Sequence, residues 1–250
     1  MKTLGLIGGL SWESTAVYYR LLNQIARERL GGHHSAALMM YSFDFAPIAA
    51  MHASGDWVAA AVAMAGAARR LEDGGADAVL ICSNTMHKTA GEVRAALAVP
   101  LIDIIEVTAS KLRAAGVRRP LLLGTRFTME QDFYVEGLKA GGVIPTIPPP
   151  HARAWLHGII YDELVQGRIE SDSRRAFVVM VEQAVAEDGV DAAILGCTEL
   201  GLLVSDGDLP VPAFDTTEIH AAAAMEFALG SDPVEAGRGA QSASPPGAGG

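Results

Sequence analysis

Short runs of apolar residues alternate along the chain with longer stretches in which apolar side chains recur at helical spacing. Apolar runs of about five residues, bounded by glycine or polar residues, are typical of strands buried on both faces of a parallel sheet. The runs predict strands near residues 3–7, 36–41, 77–81, 119–123, 191–195 and 211–213. The longer stretches predict helices over residues 14–30, 56–73, 86–97, 104–115, 130–140, 151–166, 172–187, 198–203 and 216–229. This alternation predicts an α/β fold built on parallel sheets.

Two parts of the chain resemble each other, which indicates an internal repeat. Residues 76–85 (ADAVLICSNT) match residues 190–199 (VDAAILGCTE), and a Glu-Asp-Gly triplet precedes each segment. Gly8 with Tyr18 and Gly124 with Tyr134 form a second match, at an offset of 116 residues against 114 for the first. We therefore expect two pseudo-symmetric parallel-sheet α/β lobes, residues 1–103 plus 212–230 and residues 104–211, with the active site in the cleft between them.

The repeat also singles out two loops with candidate chemistry. Ser83 and Cys197 hold equivalent positions after a predicted strand of each lobe, where α/β folds bind ligands. The following helix starts offer N–H groups that suit a carboxylate or an enolate-like oxyanion, and a helix start lowers the pKa of a thiol from about 8.5. Cys197 is therefore the main candidate for proton transfer. Cys82 aligns with Gly196 instead and is interpreted as a buried structural residue.

Composition and charge exclude several classes of function. The formal net charge of −10 disfavours binding to nucleic acid or acidic lipid, and no apolar run reaches the roughly 18 residues of a membrane span. Two cysteines 115 positions apart form neither a disulfide framework nor a zinc pattern, so we expect no metal. No secretory signal is recognisable, and a cytoplasmic location is expected. Residues 231–250, rich in Pro, Gly, Ala and Ser, are expected to be a disordered tail.

Five motifs follow one another within residues 3–229: GGLSWEST (residues 8–15), NTMHK (84–88), GTRFTM (124–129), IIYDEL (159–164) and GCTEL (196–200). In this order they resemble the motifs of the aspartate/glutamate racemase superfamily. The aspartate racemase branch fits better, because glutamate racemases usually carry His where Glu199 stands.

The resemblance implies an isomerase that works without pyridoxal phosphate or any other cofactor, forms a homodimer, and acts on a small amino acid. Two facing cysteines would exchange its α-proton on opposite faces. Here Ser83 stands where the first of those cysteines precedes Asn-Thr. Because a hydroxyl is a far weaker acid than a thiol, we expect a racemase or epimerase biased towards one enantiomer. A one-cysteine decarboxylase or isomerase of the same superfamily and a catalytically silent carboxylate-binding protein remain the alternatives.

Further site residues are predicted around these two loops. The side chains and N–H groups of these residues can bind the α-carboxylate of the substrate, line the cleft or support Ser83 and Cys197. No Lys or Arg lies between Arg29 and Arg69, where aspartate-specific relatives commonly place a cation. His52 could serve in part, and Arg126 or Lys88 could reach the site, so an aspartate- or glutamate-like substrate is not secured and an apolar or other polar amino acid remains open. The predicted substrate-binding residues are Trp12, His52, Asn84, Thr85, Thr125, Thr128 and Thr198, and the supporting residues are His87 and Glu199.

Overall fold

The computed structural model describes residues 1–204 and 207–230, so the expected tail lies outside the described residues. The strands are β1 (Leu4–Gly8), β2 (Leu38–Ser42), β3 (Ala78–Ile81), β4 (Leu101–Ile102), β5 (Pro120–Gly124), β6 (Ala192–Gly196) and β7 (Ala213–Asp215). The helices are α1 (Trp12–Leu30), α2 (Phe45–Ser54), α3 (Trp57–Asp73), α4 (Ala90–Ala96), α5 (Ile104–Ala114), α6 (Arg126–Glu130), α7 (Asp132–Ala140), α8 (Pro150–Asp162), α9 (Ser171–Asp188), α10 (Leu200–Leu203) and α11 (Thr216–Leu229). Short 3-10 helices cover Thr85–Thr89 and Leu164–Gln166.

The strands form two parallel sheets, one in each lobe, as the alternation of elements predicted. The first sheet has the order β2-β1-β3-β4 and the second the order β5-β6-β7. Thr146 makes a single parallel bridge to Leu121 of β5, at the place that β2 occupies beside β1. Strands β1, β3, β5 and β6 are buried along their whole length. The two sheets therefore repeat one arrangement, as the matched sequence segments indicated.

Two helices are exchanged between the lobes. Helix α5 follows the last strand of the first sheet but packs in the core of the second, where Ile104 and Leu112 meet Leu122 of β5. Helix α11 follows the second sheet but packs in the core of the first. Strand β7 differs from the expectation for residues 212–230, because it hydrogen-bonds to β6 of the second sheet. Only α11 crosses back to the first lobe. Its apolar face packs in the core of that lobe, whereas the short strand β7 pairs with the edge of the second sheet.

The structure contains elements that the pattern did not indicate. Asp44 caps the start of helix α2, where its side chain accepts a hydrogen bond from the N–H of Ala46. Pro47 lies in the first turn, where proline removes no helical hydrogen bond. Strand β4 has two residues, too few for a recognisable run. The expected helix over residues 130–140 corresponds to α7, and the short α6 before it, separated by Gln131, was not predicted. Within residues 1–204 and 207–230, no helix combines the length and apolarity that a bilayer crossing requires.

Glycines allow the loops at the strand ends to approach one another. A Cβ at Gly124 would lie 2.7 Å from the carbonyl oxygen of Gly196, and one at Gly9, which has φ of 71°, would lie 2.2 Å from that of Phe43. Both neighbours are backbone atoms that cannot move aside. These close approaches hold the end of β1 against the end of β2, and the end of β5 against the end of β6.

Candidate active site

A cleft between the lobes collects the loops that follow β1, β3, β5 and β6. Its empty space is about 480 Å³, including the open mouth. Eight of the residues predicted from the sequence line it: His52, Ser83, Asn84, Thr85, Thr125, Cys197, Thr198 and Glu199. The other lining residues are Leu10, Ser11, Ser14, Phe45, Ile160, Tyr161, Val165 and Gly196. The two repeat-related residues, Ser83 and Cys197, thus face the same space.

Cys197 is paired with a buried carboxylate. Its thiol donates a hydrogen bond to Glu199 Oε2 at 2.9 Å, and the Thr198 hydroxyl donates to the same oxygen at 2.7 Å. The other oxygen, Oε1, accepts a hydrogen bond from the Ser14 hydroxyl of α1 at 2.8 Å. The hydroxyl oxygens of Ser14 and Thr198 also lie in close contact across the lobes, while each directs its single hydrogen to Glu199. Glu199 is only 3% exposed, and these three donors compensate for the loss of water around its carboxylate.

The pKa of Cys197 is shifted upwards, opposite to the lowering that a helix start would cause. Burial, and then the neighbouring Glu199 carboxylate, raise the pKa of the thiol well above its ordinary value. The expected helix start cannot offset this, because α10 is a single turn of four residues that begins only at Leu200. Cys197 therefore rests as a thiol whose proton points at Glu199.

Ser83 is held from behind by His87. The Ser83 carbonyl accepts a hydrogen bond from His87 Nδ1 at 2.7 Å, and His87 Nε2 accepts one from the Ile104 N–H at 3.1 Å. Burial lowers the pKa of His87, which agrees with a neutral ring that donates from Nδ1 and accepts at Nε2. His87 does not line the cleft; it ties the Ser83 loop to the start of α5. It was expected close to Ser83, and the contact makes it a support of that loop.

Hydroxyl and amide groups connect the lobes across the floor of the cleft. Thr85 and Thr125 share a hydrogen bond of 3.0 Å between their Oγ1 atoms. Asn84 accepts from the Tyr134 hydroxyl at 2.8 Å and donates to Thr216 at 3.0 Å, so its side chain is occupied by scaffold contacts. The hydroxyls of Thr85 and Thr125 are the better placed groups for a substrate carboxylate, because they can turn towards the cleft.

One wall of the cleft is aromatic and apolar. His52 is buried against Trp57, with ring centroids 5.3 Å apart, and burial lowers its pKa. Its Nε2 lies 2.9 Å from Met86 Sδ, and its buried Nδ1 has no hydrogen-bond partner. Among the residues that the structure describes, no Lys or Arg lines the cleft. Burial raises the pKa of Tyr161 to about 12, while the charge of nearby Arg126, which is exposed, acts in the opposite direction.

Two predicted substrate-binding residues lie away from the cleft. Trp12 is 68% exposed at the start of α1, on the outside of the molecule. Thr128 is fully buried behind Thr125, with 3.2 Å between their hydroxyl oxygens, and supports it from below. Sequence reasoning missed Ser11 and Ser14 as lining residues, although both lie in the first quoted motif. Helical spacing within that motif could have identified Ser14. Trp12 and Ser14 are two positions apart and lie on opposite sides of the helix, so only one of the two can face the cleft.

The fold and the cleft together define an α/β protein that holds a thiol and carboxylate pair between two related lobes. A model of the family described as Asp/Glu/Hydantoin racemase matches residues 7–224, and the chain belongs to that family. It is thus an isomerase of the racemase type. The chain is 46% identical to a candidate Asp/Glu racemase from Yersinia pestis, with a TM-score of 0.86 over 92% of this chain and 100% of that one.

Other solved structures extend the same likeness. An aspartate racemase homologue from Pyrococcus horikoshii OT3 is 34% identical, with a TM-score of 0.82 over 92% of this chain and 100% of that one. The aspartate racemase of Picrophilus torridus is 23% identical, with a TM-score of 0.71 over 91% and 94% of the two chains, which shows a shared fold.

Proposed function

We propose that this protein is a cofactor-independent amino-acid racemase or epimerase that uses Cys197 and Ser83 on the two faces of its substrate. The observation that carries the proposal is that these repeat-related residues line one cleft between the lobes. The paired threonines at its floor offer hydroxyls for the α-carboxylate. A substrate bound there would present its α-carbon between the two lobes.

The contact between Cys197 and Glu199 supplies the base for this reaction. Transfer of the thiol proton to Glu199 Oε2 leaves a thiolate, which removes the α-proton of the substrate. The Cα–H bond breaks, the S–H bond forms, and the electron pair stays on the substrate as an enolate-like carbanion. Hydroxyl donors near the carboxylate stabilise the charge that develops on its oxygens.

The opposite face is served less well, because Ser83 offers a hydroxyl. Its Oγ accepts the Met86 N–H at 3.4 Å, so the hydroxyl hydrogen is free to point into the cleft. Ser83 either donates that proton or positions a water molecule that donates. Since both are much weaker acids than a thiol, we expect proton exchange to be much faster for one enantiomer than for the other.

The side chain of the substrate would face the aromatic wall around His52. An aspartate- or glutamate-like substrate is the class suggested by the family, and its second carboxylate would need a cation to offset desolvation. Arg126, exposed and near Tyr161, and Lys88, whose Nζ lies 4.1 Å from the centroid of the Trp57 ring, are candidate cations near this wall, and Arg126 is the one we test. With Arg126 turned outwards, the wall suits an uncharged side chain. Comparing the rates of α-proton exchange for acidic and for uncharged amino acids tests this part of the proposal directly.

The central test follows loss of the α-proton by NMR while purified protein is incubated with each amino acid in D₂O. Cys197→Ser should abolish exchange, losing a contribution of about 10²–10⁴-fold. Cys82→Ser is the matched control: Cys82 is fully buried in the core that contains α11, and its loss should leave the rate nearly unchanged. If Cys82→Ser abolished exchange and Cys197→Ser spared it, the assignment would be wrong.

One cleft thiol also fits a one-cysteine decarboxylase or isomerase, since Cys197 is the single cysteine among the described lining residues. Release of CO₂ from a malonate-type substrate, without amino-acid exchange, would favour that alternative. Binding of small carboxylates without any turnover would favour a silent binding protein. We further expect a homodimer, which sedimentation at a mass near twice 26.2 kDa would support.

A further inference from the structure

A second cavity lies directly behind the carboxylate of Glu199. This outer groove, between α1 and α10, has an empty volume of about 620 Å³. Its lining residues are Glu13, Ser14, Ala16, Val17, Arg20, Thr198, Glu199 and Leu202. Three of them, Ser14, Thr198 and Glu199, also line the catalytic cleft. These three side chains are therefore the wall between the cleft and the outer groove.

The two oxygens of Glu199 are divided between different partners in this wall. Oε2 accepts from the thiol of Cys197, whereas Oε1 accepts from the hydroxyl of Ser14. A proton taken up at Oε2 reaches the Ser14 side when the carboxyl group rotates. The Ser14 hydroxyl then turns its own hydrogen from Glu199 to water in the groove and accepts the proton of the carboxyl group. The charged side chains of Glu13 and Arg20 give the groove a polar surface that water can wet.

The proposed reaction leaves an extra proton on Glu199, and this proton must be released before the next turnover. After the thiolate has removed the α-proton, both Cys197 and Glu199 are protonated, while the donor on the Ser83 side has lost one proton. The resting state returns only when Glu199 releases its proton and the Ser83 side regains one from water. Atoms and charge balance over one turnover. The substrate itself obstructs release into the cleft.

We propose that Glu199 and Ser14 relay this proton from Cys197 to solvent in the outer groove, separately from the opening that admits substrate. The inference rests on the proposed racemase function and concerns the resetting of its base. Ser14 touches the carboxylate and acts through it, so it is a positioning residue for the relay. Blocking the groove should slow turnover without weakening substrate binding.

Ala16 allows the groove to be blocked without changing the wall. It is exposed on α1 and lines the groove but not the cleft, so the Ala16→Trp side chain can occupy the groove. Ala114→Trp, at an exposed position at the end of α5, is the matched control. Steady-state exchange in D₂O should show kcat falling several-fold in Ala16→Trp with KM unchanged, while Ala114→Trp matches the unaltered protein. Equal kcat in the two variants would overturn the relay.

Chemical rescue supplies a second, independent readout. Glu199→Ala removes the carboxylate, and added formate should restore exchange by about tenfold or more if it reaches the vacated space. Under saturating substrate, which fills the cleft, formate can reach this space only through the groove, so rescue should be lost in the double variant with Ala16→Trp. Rescue that persists in the double variant would contradict the proposal. If Glu199→Ala does not fold, the Ala16→Trp comparison still decides.

Failure of the proposed function would look different. If the unaltered protein exchanges the α-proton of no amino acid, both the function and the relay are wrong. If it exchanges normally while the groove variants behave like their control, only the relay is wrong.

Discussion

The buried side chain of His220 predicts by how much the free energy of unfolding changes with pH. The ring is fully buried between α1 and β4, where Nε2 lies 2.8 Å from the Ile102 carbonyl and Nδ1 lies 2.8 Å from the Tyr18 hydroxyl. A carbonyl can only accept, so Nε2 carries the hydrogen and Nδ1 accepts from Tyr18. Burial, and then the nearby His87 ring, lower the pKa of His220 to about 3, with the Ile102 carbonyl and the charge of Asp103 acting in the opposite direction.

The sign and size of the effect follow from this lowered pKa. The unfolded chain takes up a proton on His220 below about pH 6.5, whereas the folded protein does not until about pH 3, so the free energy of unfolding falls as the pH falls between these values. Between pH 7.5 and pH 5 the expected loss from this one residue is about 2 kcal/mol.

Urea denaturation followed by circular dichroism at the two pH values measures this loss. His220→Gln keeps an amide that can donate to Ile102 and accept from Tyr18 but does not titrate, so its free energy of unfolding should fall by about 2 kcal/mol less between the two pH values than that of the unaltered protein. Asp215, whose pKa burial raises to about 6, changes stability in the opposite direction but does so in both proteins. Equal pH dependence in the two proteins would refute the reasoning, whatever their absolute stabilities.

Three further predictions concern the cleft and its supports. Ser83→Cys should raise α-proton exchange of the disfavoured enantiomer by about 10²–10⁴-fold in D₂O. Gly124→Ala should lower the free energy of unfolding by about 1–3 kcal/mol, because the new Cβ would lie 2.7 Å from the Gly196 carbonyl oxygen. In the same denaturation assay, Gly91→Ala should raise the free energy of unfolding by about 0.5–1 kcal/mol, because Gly91 is helical and has open space around it. Arg126→Ala should slow exchange of aspartate by about tenfold or more and leave alanine unaffected, if an acidic side chain is bound there.

The strands and most helices were predictable because their signals are local. A buried parallel strand is apolar on both faces, so β1, β3, β5 and β6 stand out as apolar runs bounded by glycine or polar residues, each within about one residue of its predicted position. The two-residue β4 and the proline-containing α2 gave no such run. Strand β7 was recognised, but its partner was not, because sequence alone does not say which sheet edge a short strand will join.

The sequence by itself determined that Ser83 and Cys197 belong together, because the repeat assigns them equivalent positions on equivalent strands. Only the tertiary structure decided their chemistry. The pKa of Cys197 depends on burial and on the placement of the Glu199 carboxylate, and that carboxylate is in turn held by Ser14, 185 positions away in the chain. The tertiary structure also decided the orientation of Trp12. Its motif predicts a position near the cleft, but its helix directs the side chain into solvent. Charge, desolvation and side-chain direction arise from neighbours distant in the chain, and no local pattern contains them.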